Sequence, residues 1–229
     1  MIEDYSPLWI SIKTSFYATI MTFVFGIVIA WFVTIYSKKS KGLIDGILTL
    51  PIILPPTVVG FFLLLIFGKK SGIGKFLENY NISIIFSWFS TVIAAFVVSF
   101  PLMYKTTRGS FEQIDENIIN VARLLGASEI KIFLKIGIPI AWPGIAAGIV
   151  LSFARALGEF GATLMIAGNI PGRTQTIPIA IFFATEAGEM NKAYLWVIII
   201  FSISLFFIVL INYWTQYEKK IVSITRRKI

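Results

Sequence analysis

Neither cysteine nor histidine occurs anywhere in the 229 residues. Their absence excludes a disulfide framework, a thiolate nucleophile, a Cys/His zinc site and a serine–histidine–aspartate triad. Charge is scarce as well: Asp, Glu, Lys and Arg make up 14% of the chain, against roughly a quarter in soluble domains. Acidic residues are the rarer sign, 12 against 20 basic ones. What is abundant is apolar. Hydrophobic residues account for 57%, Phe alone occurs 21 times, and mean hydropathy is +0.84. One soluble core of this chain length could not hide so much apolar side chain, so the sequence reads as a multi-pass membrane protein. Met1–Pro7 carries Glu3 and Asp4, where a cleavable signal peptide needs positive charge.

A spanning helix needs about 20 mostly apolar residues. Five segments qualify: Leu8–Tyr36, Leu43–Phe67, Ile82–Tyr104, Ile138–Ile166 and Ala193–Gln216. Thr176–Ala184 is apolar but too short to cross, and reads as re-entrant or interfacial. Thirteen of the 20 basic residues fall in the segments after spans one, three and five, among them Lys38, Lys39, Lys41, Lys105, Arg108, Lys219, Lys220, Arg227 and Lys228. The opposite loops hold five, namely Lys69, Lys70, Lys75, Arg173 and Lys192; Lys13 and Arg155 lie within spans. The positive-inside rule then puts the N-terminus outside and the C-terminus in the cytoplasm, and assigns the +8 net charge to topology rather than to nucleic acid. Trp9, Tyr36, Trp88, Tyr104, Trp142, Tyr194, Trp196, Trp214 and Tyr217 sit near span ends, as an aromatic belt would.

The segment from about 105 to 136 is long for a cytoplasmic loop. Ile114, Ile118, Val121, Leu124 and Leu125 recur at helical spacing, with Asp115 and Glu116 in a first turn where the helix dipole favours acids. Gly126 fits a left-handed C-terminal position, and Ser128 can cap a second short helix over 129–135. An amphipathic pair of this kind either docks a soluble partner or lies on lipid headgroups; periodicity leaves both open.

From Asn120 the chain reads Asn-Val-Ala-Arg-Leu-Leu-Gly-Ala-Ser, and further on Ile136-Gly-Ile-Pro139. This resembles the signature of type I ABC importer permeases: Glu-Ala-Ala, three residues, Gly, nine residues, Ile-x-Leu-Pro. Ala122, Gly126, Ile136 and Pro139 match; Asn120 and Val121 replace the first Glu and Ala, and Ile138 replaces Leu. Leu50-Pro-Ile-Ile-Leu-Pro-Pro-Thr-Val-Val-Gly-Phe, Ser152-Phe-Ala-Arg-Ala-Leu-Gly-Glu-Phe-Gly-Ala-Thr and Asn169-Ile-Pro-Gly-Arg-Thr-Gln-Thr-Ile-Pro resemble the molybdate/tungstate permeases over nearly the whole chain, and sulfate permeases in the same regions. The resemblance implies an all-α fold of five transmembrane helices forming one permease domain over 1–229, in a prokaryotic plasma membrane. It implies two cytoplasmic ATPase subunits, which hold ATP and Mg, and an extracytoplasmic oxyanion-binding protein that delivers the anion for alternating access. Coupling residues would be Asn120, Ala122, Arg123, Gly126, Ala127, Ser128, Ile136 and Pro139. Lys69, Lys70, Asn169, Arg173 and Thr174 would face the binding protein.

The residues also carry readings of their own. Pro51, Pro55 and Pro56 remove backbone donors and must kink or break span two. Such breaks survive beside a protein-lined pathway, or serve as static kinks. Arg155 and Glu159 are four apart and can pair, as a gate or as a structural ion pair. Thr57, Ser99 and Ser152 complete the pathway candidates. Gly144, Gly148, Gly158 and Gly161 would let span four approach a neighbour closely, and point to a dimer interface there. Five helices rarely enclose a path for a hydrated anion, so a second copy on a two-fold axis is expected. Gly72-Ile-Gly-Lys lacks phosphate-loop spacing. The chain is thus expected to hold no cofactor and to be no enzyme by itself. An ion-driven transporter or channel, or a membrane scaffold, would be the other classes; the former usually shows inverted repeats or several intramembrane carboxylates.

Overall fold

The computed structural model describes residues 4–36 and 41–226; Lys38, Lys39, Arg227 and Lys228 of the charge count lie outside them. Helix α1 (Ser6–Tyr36) starts where the Asp4 carboxylate accepts from both the backbone N–H and the hydroxyl of Ser6, at 2.8 and 2.7 Å. Those two bonds hold the Asp4 carboxyl below its ordinary pKa. Next come α2 (Lys41–Ile53) and α3 (Pro56–Phe67), which meet at a bend of 112°. The cause is local. Pro55 is extended, with φ −54° and ψ 137°, and Pro56 opens α3 at a position that needs no N–H donor. A residue preceding proline is itself pushed out of helical geometry, so Leu54 cannot continue α2. Pro51, by contrast, lies inside α2.

Helix α4 (Gly72–Glu78) is a short turn whose cap, Ser71, accepts from the Gly74 N–H at 2.8 Å. Helix α5 (Trp88–Phe111) is displaced from the expected third span at both ends. Asn81 and Phe86 have φ of 57° and 58°, a left-handed geometry that interrupts any helix over 82–87. At the other end nothing stops the helix at Tyr104, and it runs on to Phe111. After α6 (Glu116–Leu124) comes α7 (Glu129–Ile132), which is not a separate helix: it passes through a π-helical turn over Phe133–Gly137 into α8 (Ile138–Leu157). The Pro139 ring would clash with the carbonyl four residues back. The wider turn relieves this, with the Ile138 N–H bonding the Phe133 carbonyl. The expected fourth span is itself divided, because α8 ends at Leu157 and α9 (Gly161–Ala167) restarts after Gly158–Phe160. Helices α10 (Ile177–Glu186) and α11 (Met190–Arg226) complete the described residues.

Among the described residues, four helical segments are long and apolar enough to cross a bilayer, Ser6–Ile35, Trp88–Phe111, Glu129–Leu157 and Met190–Val209, and α2 with α3 makes a fifth if the bent pair counts as one span. Helix α10, of 10 residues, is too short. Helix α5 is the hub, packed against α1, α2, α3, α8 and α9. At the end carrying α6, the loop end, the core is large and aromatic: Trp31, Phe100, Tyr104, Phe111, Ile119, Ile132 and Ile145. At the far end it is small and aliphatic: Val59, Leu63, Ala94, Val98, Ala162, Ile166 and Ala167.

Two expectations are corrected by this packing. Tyr104 and Trp196 are buried, so they are core residues and not belt anchors. The glycines of span four serve this chain's own α5 and α3. A Cβ at Gly144 would strike Ser110, one at Gly148 would strike Thr106 and Met103, and one at Gly161 would press on Pro56 and Thr57. Close helix approach at these positions is thus spent within the chain itself, and of the four Gly158 alone is open.

Candidate functional site

The 105–136 segment is a built structure. Asp115 caps α6, accepting from the Asn117 N–H at 2.9 Å. Gly126 adopts φ +79°, the left-handed position that glycine takes without strain. Ser128 caps α7, accepting from the Lys131 N–H at 3.4 Å. The apolar stripe divides between two faces. Ile114, Ile119 and Ala122 are buried against the loop-end core. Ile118, Val121, Leu124 and Leu125 point away, at 45%, 53%, 86% and 82% exposure. Ile114 belongs inside and the rest of the expected stripe outside, because a short helix lying on a core can bury one side only. Arg123 fastens α6 to α7 through Glu129, at 2.7 and 3.1 Å, and reaches the Asn120 side chain at 3.4 Å. Ala127 and Ile136 pack partly buried against the core, and Pro139 is exposed on α8.

Two features of this end escaped the sequence reading. A Cβ on Gly137 would lie 2.6 Å from the Trp31 ring, so the indole occupies the space that the missing side chain leaves. The second is an ion network. The Arg108 guanidinium pairs with Asp45 and, at 2.9 Å, with Glu112; Lys41 also pairs with Glu112, and the Tyr104 hydroxyl donates to Asp45. Hydrogen bonding from the Lys41 ammonium, with help from Arg108, holds the Glu112 carboxyl below the usual range despite partial burial. The Arg108–Glu112 spacing of four was the available signal.

The pathway candidates other than Ser99 and Ser152 fall around the two helix breaks. Glu159, 2% exposed, bridges the α8–α9 break: one carboxylate oxygen accepts from Arg155 at 2.8 Å and the other from the Ala162 N–H at 2.8 Å. The pair is therefore also a cap, since the carboxylate satisfies one of the orphan donors at the start of α9. At Gly161 the start of α9 presses on Pro56 and Thr57 at the start of α3. A Cβ on Gly60 would lie 2.9 Å from the Ala162 backbone, so α3 and α9 touch backbone to backbone. Pro55, Pro56 and Thr57 are exposed and Pro51 is half-buried. Ser99 and Ser152 are buried; Ser152 donates weakly to the Ser99 carbonyl at 3.5 Å, while Ser99 turns back onto the Ala95 carbonyl. They form an α5–α8 contact apart from the breaks.

At the far end Lys69 and Lys70 are exposed, with Lys69 3.4 Å from Glu78. The 168–176 loop is tightly folded. Gln175 donates to Asn169 at 2.9 Å, and Pro171, Gly172 and Arg173 form its exposed tip. Thr174 is corrected from contact residue to loop scaffold. It is fully buried, its hydroxyl accepting from the Ile170 N–H at 3.1 Å and donating to the Gly168 carbonyl at 3.3 Å.

Broken spans packed on one another, with a firmly framed apolar helix held off one end, define a polytopic helical membrane protein. Residues 14–216 match the family described as binding-protein-dependent transport system inner membrane component, and the chain belongs to it. It is the permease subunit of an ABC importer, an inner-membrane protein. The protein YvgM of Bacillus subtilis (strain 168) is 44% identical over 210 residues, 90% of this chain and 92% of that one. The molybdenum transport system permease protein ModB of Escherichia coli (strain K12) is 41% identical over 198 residues, 85% and 86% of the two chains. Among solved structures, an inward-facing MetNI methionine ABC transporter shares the fold with a TM-score of 0.70 at 12% identity, covering 92% of this chain and 94% of that one.

Proposed function

We propose that this chain, as a symmetric pair, forms the membrane pathway of an importer for molybdate or tungstate, driven by two cytoplasmic ATPase subunits. The substrate class rests on the 41% identity to ModB across most of both chains. The coupling role rests on one observation: α6 offers Ile118, Val121, Leu124 and Leu125 to the outside while Ile119 and Ala122 anchor it from behind. An apolar helix face of this kind fits a groove in a soluble partner. The loop end then lies in the cytoplasm, with the N-terminus outside. ATP and Mg belong to the ATPase, and this chain performs no bond chemistry. Closure of the ATPase pair on ATP draws the two α6 helices together; the loop-end cores follow, and the broken segments around Pro55–Thr57 and Gly158–Gly161 re-angle to open the pathway outward. A binding protein delivers the anion there, against Lys69, Lys70, Asn169 and Arg173.

The test is a paired substitution, Leu124→Asp with Leu125→Asp. Both side chains are exposed, so stability should change by no more than about 0.5 kcal/mol, while the ATPase subunit should no longer co-purify. An ATPase that stays bound at wild-type stoichiometry would remove the docking assignment. In proteoliposomes carrying the intact complex and its binding protein, uptake driven by ATP should favour molybdate and tungstate over sulfate; preferential sulfate uptake would overturn the substrate.

A further inference from the structure

Helix α2 poses a mechanical problem. It is 13 residues long, detached from α3 by the 112° bend, and Thr49 is its one buried side chain. Ile44 and Leu48 pack partly buried on the loop-end core, while Leu43, Ile47, Leu50, Ile52 and Ile53 are exposed. Within a bilayer such apolar contact holds a helix weakly, because lipid solvates the same side chains equally well. Charge holds it instead. Asp45 receives both the Arg108 guanidinium and the Tyr104 hydroxyl, and Lys41, one turn earlier, pairs with Glu112. Arg108 in turn grips Glu112 through Nε at 3.0 Å and Nη2 at 2.9 Å. Two cations and two anions balance, so the cluster needs no outside counter-ion. Its Arg108 and Asp45 side chains are only 18% and 24% exposed, where charge pairs are screened less than at an open surface. Glu112 stands four residues before α6, on the segment leading out of α5.

We propose that Asp45 and Arg108 are positioning residues that tie α2 to the docking helix, so that displacement of α6 is carried through Glu112 and Arg108 into α2 and delivered at the Leu54–Pro55 break. This rests on the reading of α6 as the ATPase docking helix. Without the tie, α6 and the end of α5 would move while α2 slipped against lipid, and ATP hydrolysis would no longer re-angle the broken span.

The experiment uses the complete complex with its ATPase subunits in proteoliposomes, measuring anion transported per ATP hydrolysed. Asp45→Asn keeps the shape and the tyrosine contact but loses the charge pair, and should lower that ratio by about tenfold, within the usual range of coupling energies, with ATPase rate and complex yield retained. Asp45→Glu should recover most of the ratio. Tyr104→Phe, which removes one of the two groups on Asp45, should give a smaller loss and serves if Asp45→Asn fails to assemble. The cysteine-free chain allows nitroxide labels on Gly46→Cys and Asn117→Cys: the α2–α6 spacing should stay fixed between nucleotide-free and ATP-trapped states in the parent and shift in Asp45→Asn. Normal coupling in both Asp45→Asn and Tyr104→Phe, or a spacing that shifts in the parent, would overturn the tie. A parent complex that binds no ATPase would instead defeat the docking reading beneath it.

Discussion

At the loop end, Trp31 sits edge-on to Phe111 with ring centroids 5.1 Å apart and tilted on Phe133 at 5.4 Å, while Arg108 grips two carboxylates. At the far end the same α5 meets α3 and α9 through Ala94, Val98, Ala162 and Ala167, with Gly60 letting backbones touch. The difference follows from solvent. Ion networks and polar-tipped rings such as Tyr104 hold best where water and headgroups are near, whereas helices inside hydrocarbon associate through close backbone packing. On the proposed mechanism one end receives force and the other rearranges, and the breaks at Leu54–Pro55 and Gly158–Phe160 separate α2 from α3 and α8 from α9.

The largest effect that separates the two ends should come from emptying each core. Trp31→Ala removes a side chain only 7% exposed and should cost about 3–5 kcal/mol, as for a buried aromatic in a water-facing core. Leu63→Ala at the far end, 6% exposed, should fall below about 2 kcal/mol, since lipid replaces the lost transfer term. Denaturant titration of the detergent-purified protein measures both. Equal losses would mean that one packing rule serves the whole bundle.

A smaller effect is expected at the joint. Glu159→Ala strips the start of α9 of its cap and leaves Arg155 unpaired. Breaking a fully buried pair costs several kcal/mol, but Arg155 is 33% exposed, so a loss of about 1–3 kcal/mol is expected. Glu159→Gln keeps an acceptor for Ala162 and should lose less. If transport by Glu159→Gln stays normal once folded protein is matched, the pair is a fastener; if it collapses at unchanged stability, Arg155–Glu159 works as a gate.

These contrasts were unevenly legible in the sequence. Apolar length gave the spans, and Asp115, Gly126 and Ser128 gave the ends of α6 and α7, because caps and left-handed turns are set by neighbours in sequence. Pro55–Pro56 foretold the break for the same reason. The interruption after Leu157 was hidden, since Gly158-Glu-Phe reads as ordinary helix until Glu159 finds the Ala162 N–H. Which face of α6 turns inward was hidden too: Ile118 and Ile119 are equally apolar, and only the loop-end core, with Trp31 far off in sequence, decides between them. Spacing marks the glycines of span four as sites of close approach, but it cannot reveal that Gly144 and Gly148 meet this chain's own α5 and Gly161 its α3.

The smallest effect tests whether charge holds the loop end at all. Glu112 has its carboxyl pKa lowered from 4.5 by Lys41 and Arg108. A group depressed in the folded state stabilises fully above its unfolded value and loses that contribution as pH falls through the folded one. Thermal stability of the parent relative to Glu112→Gln should therefore be constant above about pH 5 and shrink progressively as pH falls below the ordinary carboxylate range. Glu112 is more than a third exposed, so salt should shrink the difference. A bimane label on Gly46→Cys, at the loop end, should report the transition, and one on Gly72→Cys, at the far end, should not; both positions have open space for a side chain. A matching acid response at both labels would show that the two ends unfold as one unit, and the division of labour between them would have to be given up.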